Sequence, residues 1–528
     1  MTNLSDQNGG FSLANEVRKM YVEGQTDYSL EPVLSLDSSG LPQGRIDSGD
    51  AVVFCCRRGE REVELTEAFT DPQFSHFQRP ALSDLYFVIL TLYHEKFKDL
   101  PVAFAPAKIH ETLAELVSKA NLTQLHCAES EKFSHVTFFL NGGNNQPFPG
   151  EVDERIPSPK GIPFDQVPQL SLEKVADQVI KGIDKGYDFI VTNFANGDVI
   201  GHTANREAKI RCAEFVDSAL ERVVNAALAQ DYVVLVTADH GNLEVLLTPE
   251  GKPHVAHTTN WVPFIVMDPY ETKVAQLKPG KLADIAPTIL QYMAIPQSGS
   301  MTGASVLDSL PSKTQRRVML VILDGWGIGA RDDSNPIYLA NTPYWDQLLQ
   351  NYPNVLLQAS GDAVGLQSGK AGNSEAGHLN IGAGRVVLQD DVRLDQAMKD
   401  GTFYENEIFL KAMQHVKKNR SKLHLIALLT EKSSHGSIDY PLALLKIAKA
   451  QSVENVFLHV IFDGRSTEPG SAPALLEKLD RAIAEIGIGR IVSGVGRGIA
   501  LDRDGNFNKI KKTYDAFVFG DGRRYADE

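Results

Sequence analysis

Short apolar runs rich in β-branched residues alternate with stretches whose apolar positions recur at helical spacing, through much of the chain. This alternation predicts an α/β fold with predominantly parallel sheets. Phe189–Thr192, Tyr232–Thr237, Phe264–Met267 and Val318–Leu323 read as strands, and Asp217–Leu228 and Leu282–Met293 as helices. Residues Asn141–Pro168, rich in glycine and proline, are expected to form loop. The polar stretch Leu307–Arg317, interrupted by a proline, reads as a linker, and no repeat of fixed period is present.

Three of the four strands run directly into polar residues: Asn193–His202, Asp239–Asn242 and Asp324–Gly327. Ligands of open α/β sheets bind beyond the carboxyl ends of strands, so these three endings are candidates for one site.

Bulk properties narrow the classes. A chain of 528 residues exceeds one core and suggests two to four compact units, of which two is the starting expectation. Apolar residues at 43% and charged residues at 23% suit an ordinary soluble protein. A net charge of −15 argues against a nucleic-acid partner, although a local cationic pocket can still hold a small anion. The cysteines Cys55, Cys56, Cys127 and Cys212 match neither a disulfide framework nor a zinc ribbon, so a reducing cytoplasm is expected. Met1–Leu13 lacks the regions of a signal peptide, and the best apolar run, Leu85–Leu92, is too short to span a bilayer. No membrane partner is expected.

Five motifs can carry chemistry. If Asn196–His202 turns helically, Asp198 and His202 stand at i and i+4, where a carboxylate and an imidazole can reach one metal ion. An acidic helix start beside a surface histidine would read the same. Asp239 and His240 are adjacent candidate ligands at a strand exit, or a capping aspartate with an incidental histidine. His257, before the strand at Phe264, is a candidate ligand or a structural histidine. Asp324 ends a strand and is followed by Gly325 and Gly327, which let backbone or ligand approach closely; an aspartate opening a tight turn is the alternative. Ser374 lies in Gly372-Asn373-Ser374-Glu375-Ala376-Gly377-His378. A helix starting there would set its hydroxyl near backbone N–H groups and the positive end of the dipole, and simple N-capping would explain it too.

Together these motifs form the signature of the alkaline phosphatase superfamily, and in detail the chain resembles the cofactor-independent phosphoglycerate mutases. The resemblance runs over roughly 47–307 and 318–527 and is most specific in Val321–Gly327, Gly372–Gly384 and Asp239–Asn242. It implies interconversion of 3-phosphoglycerate and 2-phosphoglycerate, in glycolysis and gluconeogenesis, through a phosphoserine at the catalytic Ser374. It implies two divalent cations, Mn²⁺ first with Mg²⁺, Co²⁺ or Zn²⁺ as alternatives, and no 2,3-bisphosphoglycerate. One ion would take Asp324, Ser374, Asp239 and His240; the other would take Asp198, His202 and His257. Such ions would stabilise the serine alkoxide and neutralise the transferring phosphoryl oxygens. The resemblance further implies that substrate binding falls to Arg58, Arg61, Lys132, His435, Arg465, Arg497 and Arg503. Arginine forks onto carboxylate and phosphate, which suits a doubly anionic substrate, although any one of these could be a solvated surface charge.

Three residues depart from the family pattern. Ser466 stands where a proposed acid–base carboxylate is usual, with Asp463 or Glu468 as substitutes; Arg57 replaces a residue that is usually aromatic; Ser437 stands where a second histidine commonly follows the position of His435. The order of segments departs further, because Met301–Leu307 leads through 307–317 into Val318 and so joins the family's usual ends. The chain therefore reads as circularly permuted. Residues 107–310 and 318–388 are expected to form an alkaline-phosphatase-like metal-binding domain, and 389–528 with 1–106 a transferase-like substrate-binding domain, with the active site in the cleft between them. A monomer acting on a small molecule is expected. A metal-dependent phosphatase or another phosphomutase of the superfamily is the alternative, and a non-enzymatic binding protein on this scaffold a more distant one.

Overall fold

The computed structural model describes residues 8–57, 61–106, 109–270, 276–309, 311, 315–431, 433 and 435–526. Arg58 and part of the 307–317 linker lie outside the described residues. The chain divides into two compact units, 1–106 with 393–528, and 107–392.

The first unit carries β1 (Val33–Leu36), β2 (Ala51–Phe54), β3 (Tyr86–Thr91) and β4 (Val102–Phe104) from its leading segment. The second unit supplies β5 (Gln124–Glu129), β6 (Glu151–Ile156), β7 (Phe189–Phe194), β8 (Val233–Thr237), β9 (Val262–Met267), β10 (Gly280–Lys281), β11 (Val318–Leu323) and β12 (Asn354–Gln358). The chain then returns to the first unit with β13 (Leu423–Leu429), β14 (Val456–Phe462), β15 (Arg490–Gly496) and β16 (Arg523–Ala526).

Each unit is built on one eight-stranded sheet. The orders are β16-β1-β15-β14-β13-β2-β3-β4 and β10-β12-β9-β8-β11-β7-β5-β6. Pairing is parallel except for β1 with β15, β8 with β9 and β9 with β12. Central strands are buried on both faces and carry apolar side chains on each, as β13 shows. Leu423, Leu425, Ala427 and Leu429 point into one core while Ile426 and Leu428 point into the core on the other face.

The strands read from the sequence are all present, with β7 extended to Phe194 and β9 beginning at Val262. The helix expected at Asp217–Leu228 is longer, Arg206–Ala229, because Asn205 caps a polar first half by accepting from Ala208 N. Leu282–Met293 divides into a 3-10 turn, Leu282–Asp284, and an α-helix, Ile285–Met293. The expectation of loop throughout Asn141–Pro168 is corrected: Glu151–Ile156 forms β6. It is an edge strand, paired only with β5, and its charged alternation is what an edge carries to discourage further pairing. No helix among the described residues is long and apolar enough to cross a membrane. All four cysteines are buried and free.

Candidate metal centre

In the second unit the neighbouring strands β8, β11, β7 and β5 deliver polar residues past their carboxyl ends. Asp324 follows β11, and Asp239 with His240 follows β8. The chain leaving β7 turns into the helix Asn196–Gly201, which puts Asp198 and His202 on one face, His202 Nε2 lying 3.2 Å from Asp198 Oδ1. Two glycines let these elements meet. A Cβ on Gly197 would stand 2.4 Å from the Asp324 carbonyl oxygen, and one on Gly325, at φ 72°, 2.6 Å from Asp198 N.

Ser374 opens the helix Ser374–Ala383, and Asn373, not the serine, caps it by accepting from Ala376 N at 2.9 Å. The serine hydroxyl is thereby released from capping. It donates to Asp324 Oδ1 at 3.1 Å, receives a hydrogen bond from Lys132 Nζ at 2.6 Å and lies 3.0 Å from His240 Nε2.

The candidate ligands form two adjoining groups. In one, His240 Nε2 is 3.5 Å from both Asp239 Oδ2 and Asp324 Oδ1, with Ser374 Oγ between. In the other, His202 Nε2, His257 Nε2 and Asp198 Oδ1 are mutually 3.0 to 3.2 Å apart. His240 Nε2 stands 3.8 Å from Asp198 Oδ1 and so borders both groups. A tetrahedral ion with bonds of about 2.1 Å separates its ligand atoms by about 3.4 Å, so these spacings suit small divalent cations.

Two further observations fit a cation. Asp239 Oδ2, fully buried, accepts no well-formed hydrogen bond, its nearest donor being His378 Nδ1 at 3.4 Å. Each of the three histidines turns Nδ1 to a backbone carbonyl: His202 to Val255 at 2.9 Å, His257 to Gly372 at 2.8 Å and His240 to Gly241 at 3.2 Å. With the ring proton held there, Nε2 keeps its lone pair for the centre.

The electrostatics match this concentration of carboxylates. Burial alone would raise Asp198, Asp239 and Asp324, but Lys132 and the surrounding histidines outweigh it and hold all three below the ordinary carboxylate range. Burial likewise opposes the charge on Lys132 and His240. The same aspartates overcome it, raising Lys132 and bringing His240 to about 9, so that without a cation His240 Nε2 carries a proton that a bound cation would replace. Lys132 Nζ also binds Asp198 Oδ2 at 2.7 Å and Asp324 Oδ1 at 2.8 Å, so it belongs with the aspartates of the second unit.

The other described candidates for substrate binding lie in the first unit, again past the carboxyl ends of neighbouring parallel strands. Arg61 follows β2, His435 follows β13, Arg465 follows β14, and Arg497 and Arg503 follow β15. Arg61 donates to the Leu501 carbonyl at 3.1 Å, Arg497 to Asp463 Oδ1 at 2.5 Å, and His435 Nδ1 lies 3.1 Å from Glu62 Oε1. Arg465 and Arg503 are exposed. Of the carboxylates expected to substitute for one at Ser466, Asp463 is committed to Arg497 and Glu468 is exposed. Arg57 bonds Tyr440 and the Ser433 carbonyl, and Ser437 Oγ donates to the Glu431 carbonyl at 2.7 Å.

Sequence reasoning missed the residues that hold the candidate ligands. Asn193 donates to Asp324 Oδ2 at 2.6 Å, Asn242 to Asp198 Oδ1 at 2.9 Å, and His378 touches the Ser374 carbonyl. Asn193 carried a signal, being an amide inside a wholly buried strand.

Comparison with known proteins agrees with the site. The family model described as Metalloenzyme superfamily matches residues 19–297, and the one described as BPG-independent PGAM N-terminus matches 394–528. A 2,3-bisphosphoglycerate-independent phosphoglycerate mutase of Moorella thermoacetica is 44% identical over 56% of this chain and 57% of its own length. The enzyme of the same name from Flavobacterium johnsoniae is 42% identical over the same shares. The chain thus spans little more than half the length of these relatives. A crystal structure of Leishmania mexicana phosphoglycerate mutase at low cobalt concentration aligns with a TM-score of 0.40 and 26% identity, over 52% of this chain and 53% of that one. With carboxylates and imidazoles gathered at the strand ends and the superfamily model matched over more than half its residues, the chain belongs to the metalloenzyme superfamily.

Proposed function

We propose that the chain interconverts 3-phosphoglycerate and 2-phosphoglycerate by passing the phosphoryl group through Ser374, with two divalent cations, Mn²⁺ foremost, and no 2,3-bisphosphoglycerate. The observation that carries this reading is the placement of Ser374 Oγ, buried at a helix start and within 3.1 Å of Asp324, His240 and Lys132. The relatives' names and the match to the BPG-independent PGAM N-terminus support it.

Bound cations would supply charge neutralisation for the serine oxygen and the phosphoryl oxygens. Asp324, Ser374, Asp239 and His240 would hold one, and Asp198, His202 and His257 the other. The chain's own residues do the rest. Asp324 Oδ1 accepts a hydrogen bond from the Ser374 hydroxyl and so orients it, Lys132 places positive charge beside Oγ, and the helix start presents backbone N–H groups toward an anion. The Oγ–P bond forms as the bond from phosphorus to the glycerate oxygen breaks, and the proton given up by the Ser374 hydroxyl goes to that leaving oxygen; in the second transfer the proton of the attacking glycerate hydroxyl returns to Oγ. A second transfer returns the group to the other hydroxyl of the same glycerate. Arg58, Arg61, His435, Arg465, Arg497 and Arg503 are assigned to gripping that glycerate, since guanidinium forks suit its carboxylate and phosphate. The chain is read as a permuted, cytoplasmic monomer. In support of permutation, the superfamily match precedes the match to the family's amino-terminal region.

The test is an assay on 3-phosphoglycerate with Mn²⁺ and without bisphosphoglycerate. Formation of 2-phosphoglycerate, loss of it in Ser374→Ala and phosphate on Ser374 in quenched enzyme are expected. Release of inorganic phosphate alone would replace the mutase with a phosphatase.

A further inference from the structure

Asp324 is held from behind. Its Oδ1 faces Ser374 Oγ and Lys132, while its Oδ2 receives the Asn193 amide at 2.6 Å. The same Asn193 Nδ2 stands 3.1 Å from His378 Nε2, and His378 Nδ1 is 2.9 Å from the Ser374 carbonyl oxygen and 3.4 Å from Asp239 Oδ2. Asn193 and His378 are both wholly buried.

Donor and acceptor accounting fixes every proton in this chain. Were the Asn193 amide turned over, its oxygen would oppose the Asp324 carboxylate, so Nδ2 is the atom that faces it. An amide nitrogen only donates, hence His378 Nε2 accepts, and His378 carries its proton on Nδ1, where both neighbours are acceptors. The Asn193 Oδ1 atom is left buried without a partner, a cost set against the two bonds its nitrogen makes. Asn193 comes from β7 and His378 from the helix that begins at Ser374. The two side chains therefore join a central strand, the carboxylate after β11, the carboxylate after β8 and the backbone of the serine.

We propose that Asn193 and His378 are positioning residues that lock the Asp324 carboxylate with Oδ1 toward Ser374 Oγ and fix the serine's backbone relative to it. With Oδ2 hydrogen-bonded to the amide, Oδ1 is the oxygen that Asp324 would offer to a cation shared with Ser374 Oγ. Hydrogen-bonded supports of this kind are worth about 10–100-fold in metal affinity or activity. The catalytic consequence rests on the mutase reading above; the effect on cation binding does not.

Calorimetric titration of metal-stripped protein with Mn²⁺, alongside steady-state kinetics, tests the strut in Asn193→Ala and His378→Gln. Weaker Mn²⁺ binding by about 10–100-fold and a fall in kcat of at least tenfold, with KM for 3-phosphoglycerate within about twofold, are expected. Mn²⁺ affinity and kcat both within twofold of wild type in a folded variant would overturn the proposal. Weakened Mn²⁺ binding with no mutase activity in the wild type would leave the strut standing and remove the function proposed for it. Should both variants fail to fold, imidazole nitrogen NMR of the intact protein decides: a proton on Nδ1 of His378 is expected, and one on Nε2 refutes the arrangement.

Discussion

Lys132 Nζ lies 2.6 Å from Ser374 Oγ, and the same ammonium binds Asp198 and Asp324, so one buried cation from the segment after β5 joins groups delivered by three other elements. Without it the carboxylates would face one another. Lys132→Ala is expected to cost the metal-free second unit about 3–5 kcal/mol, the usual penalty for stranding a buried charge, and added Mn²⁺ should restore most of it. All three tryptophans, Trp261, Trp326 and Trp345, lie in that unit, so urea unfolding followed by tryptophan fluorescence reads it directly. Equal midpoints for variant and wild type in chelator would contradict the role given to Lys132.

Close approach between backbones also carries the site. Gly325→Ala combines a left-handed φ with a Cβ pressed against Asp198 N, and Gly197→Ala drives a methyl into the Asp324 carbonyl. Each should lower Mn²⁺ affinity more than tenfold, because the two candidate ligand groups are pushed apart; Gly299→Ala, which meets nothing within 4 Å, is the control. Calorimetry on all three variants separates the outcomes, and equal affinities would remove the argument.

Acid should weaken the first unit through a buried row of side chains. His424 Nε2 donates to Asp50 Oδ2 at 3.1 Å, its Nδ1 accepts from His459 Nε2 at 3.0 Å, and His459 Nδ1 accepts from Ser493 Oγ at 2.7 Å. Burial pushes both imidazoles below their ordinary value, against the pull of Asp50 on His424 and with Lys422 close by. The unfolded chain takes up protons that the fold refuses, so stability is complete above about pH 6.5 and declines as the pH falls below it. Asp50 sits below the ordinary carboxylate range although burial alone would raise it, and adds a loss of the same sign only below about pH 4. Hydrogen exchange in β13 and β14 should quicken between about pH 6.5 and 5.5 beyond its intrinsic rate change, and His459→Gln should flatten that dependence. An unaltered slope in the variant would be the contrary result.

The stretch that joins Leu307 to β11 ends in a buried ion pair. Arg316 binds Asp268 Oδ1 at 3.0 Å, its guanidinium lies 3.9 Å from the centre of the Tyr270 ring, and both charged side chains are almost wholly enclosed. Arg316→Ala should cost about 3–5 kcal/mol in the fluorescence-detected unfolding of the second unit, and Arg316→Met with Asp268→Leu should recover much of it. A loss below about 1 kcal/mol in the single variant would show the pair to be worth no more than an exposed one.

What could be read from the sequence follows from where the chemistry sits. Asp324, Asp239 and the Asp198–His202 pair stand at ends of apolar strands or one helical turn apart, and local pattern reveals both. Ser374 was legible as a helix start, but its release from capping depends on Asn373 taking that task. Lys132 and Asn193 act across 66 to 242 positions of sequence separation, and His378 reaches Asn193 across 185, in bonds no local window contains. β6 was hidden for a different reason: an edge strand needs only one partner and little apolar surface, so Glu151–Ile156 resembles the loop around it.

The first unit is woven from two segments separated by the whole of the second. β1 pairs with both β15 and β16, and the helix Gly10–Val22 packs against Ala472–Ile486, where Asp480 Oδ1 receives Gly10 N at 2.8 Å. On the ribosome, residues 8–106 must therefore wait, with the apolar faces of β1 to β4 uncovered, until β13 to β16 have emerged. The contiguous second unit can close on itself in the meantime. At about 5–20 residues per second, the 286 residues of 107–392 alone impose a delay of about 14–57 s. For that interval the leading segment lacks its partner strands, and the speed of translation through 107–392 sets how long it does so.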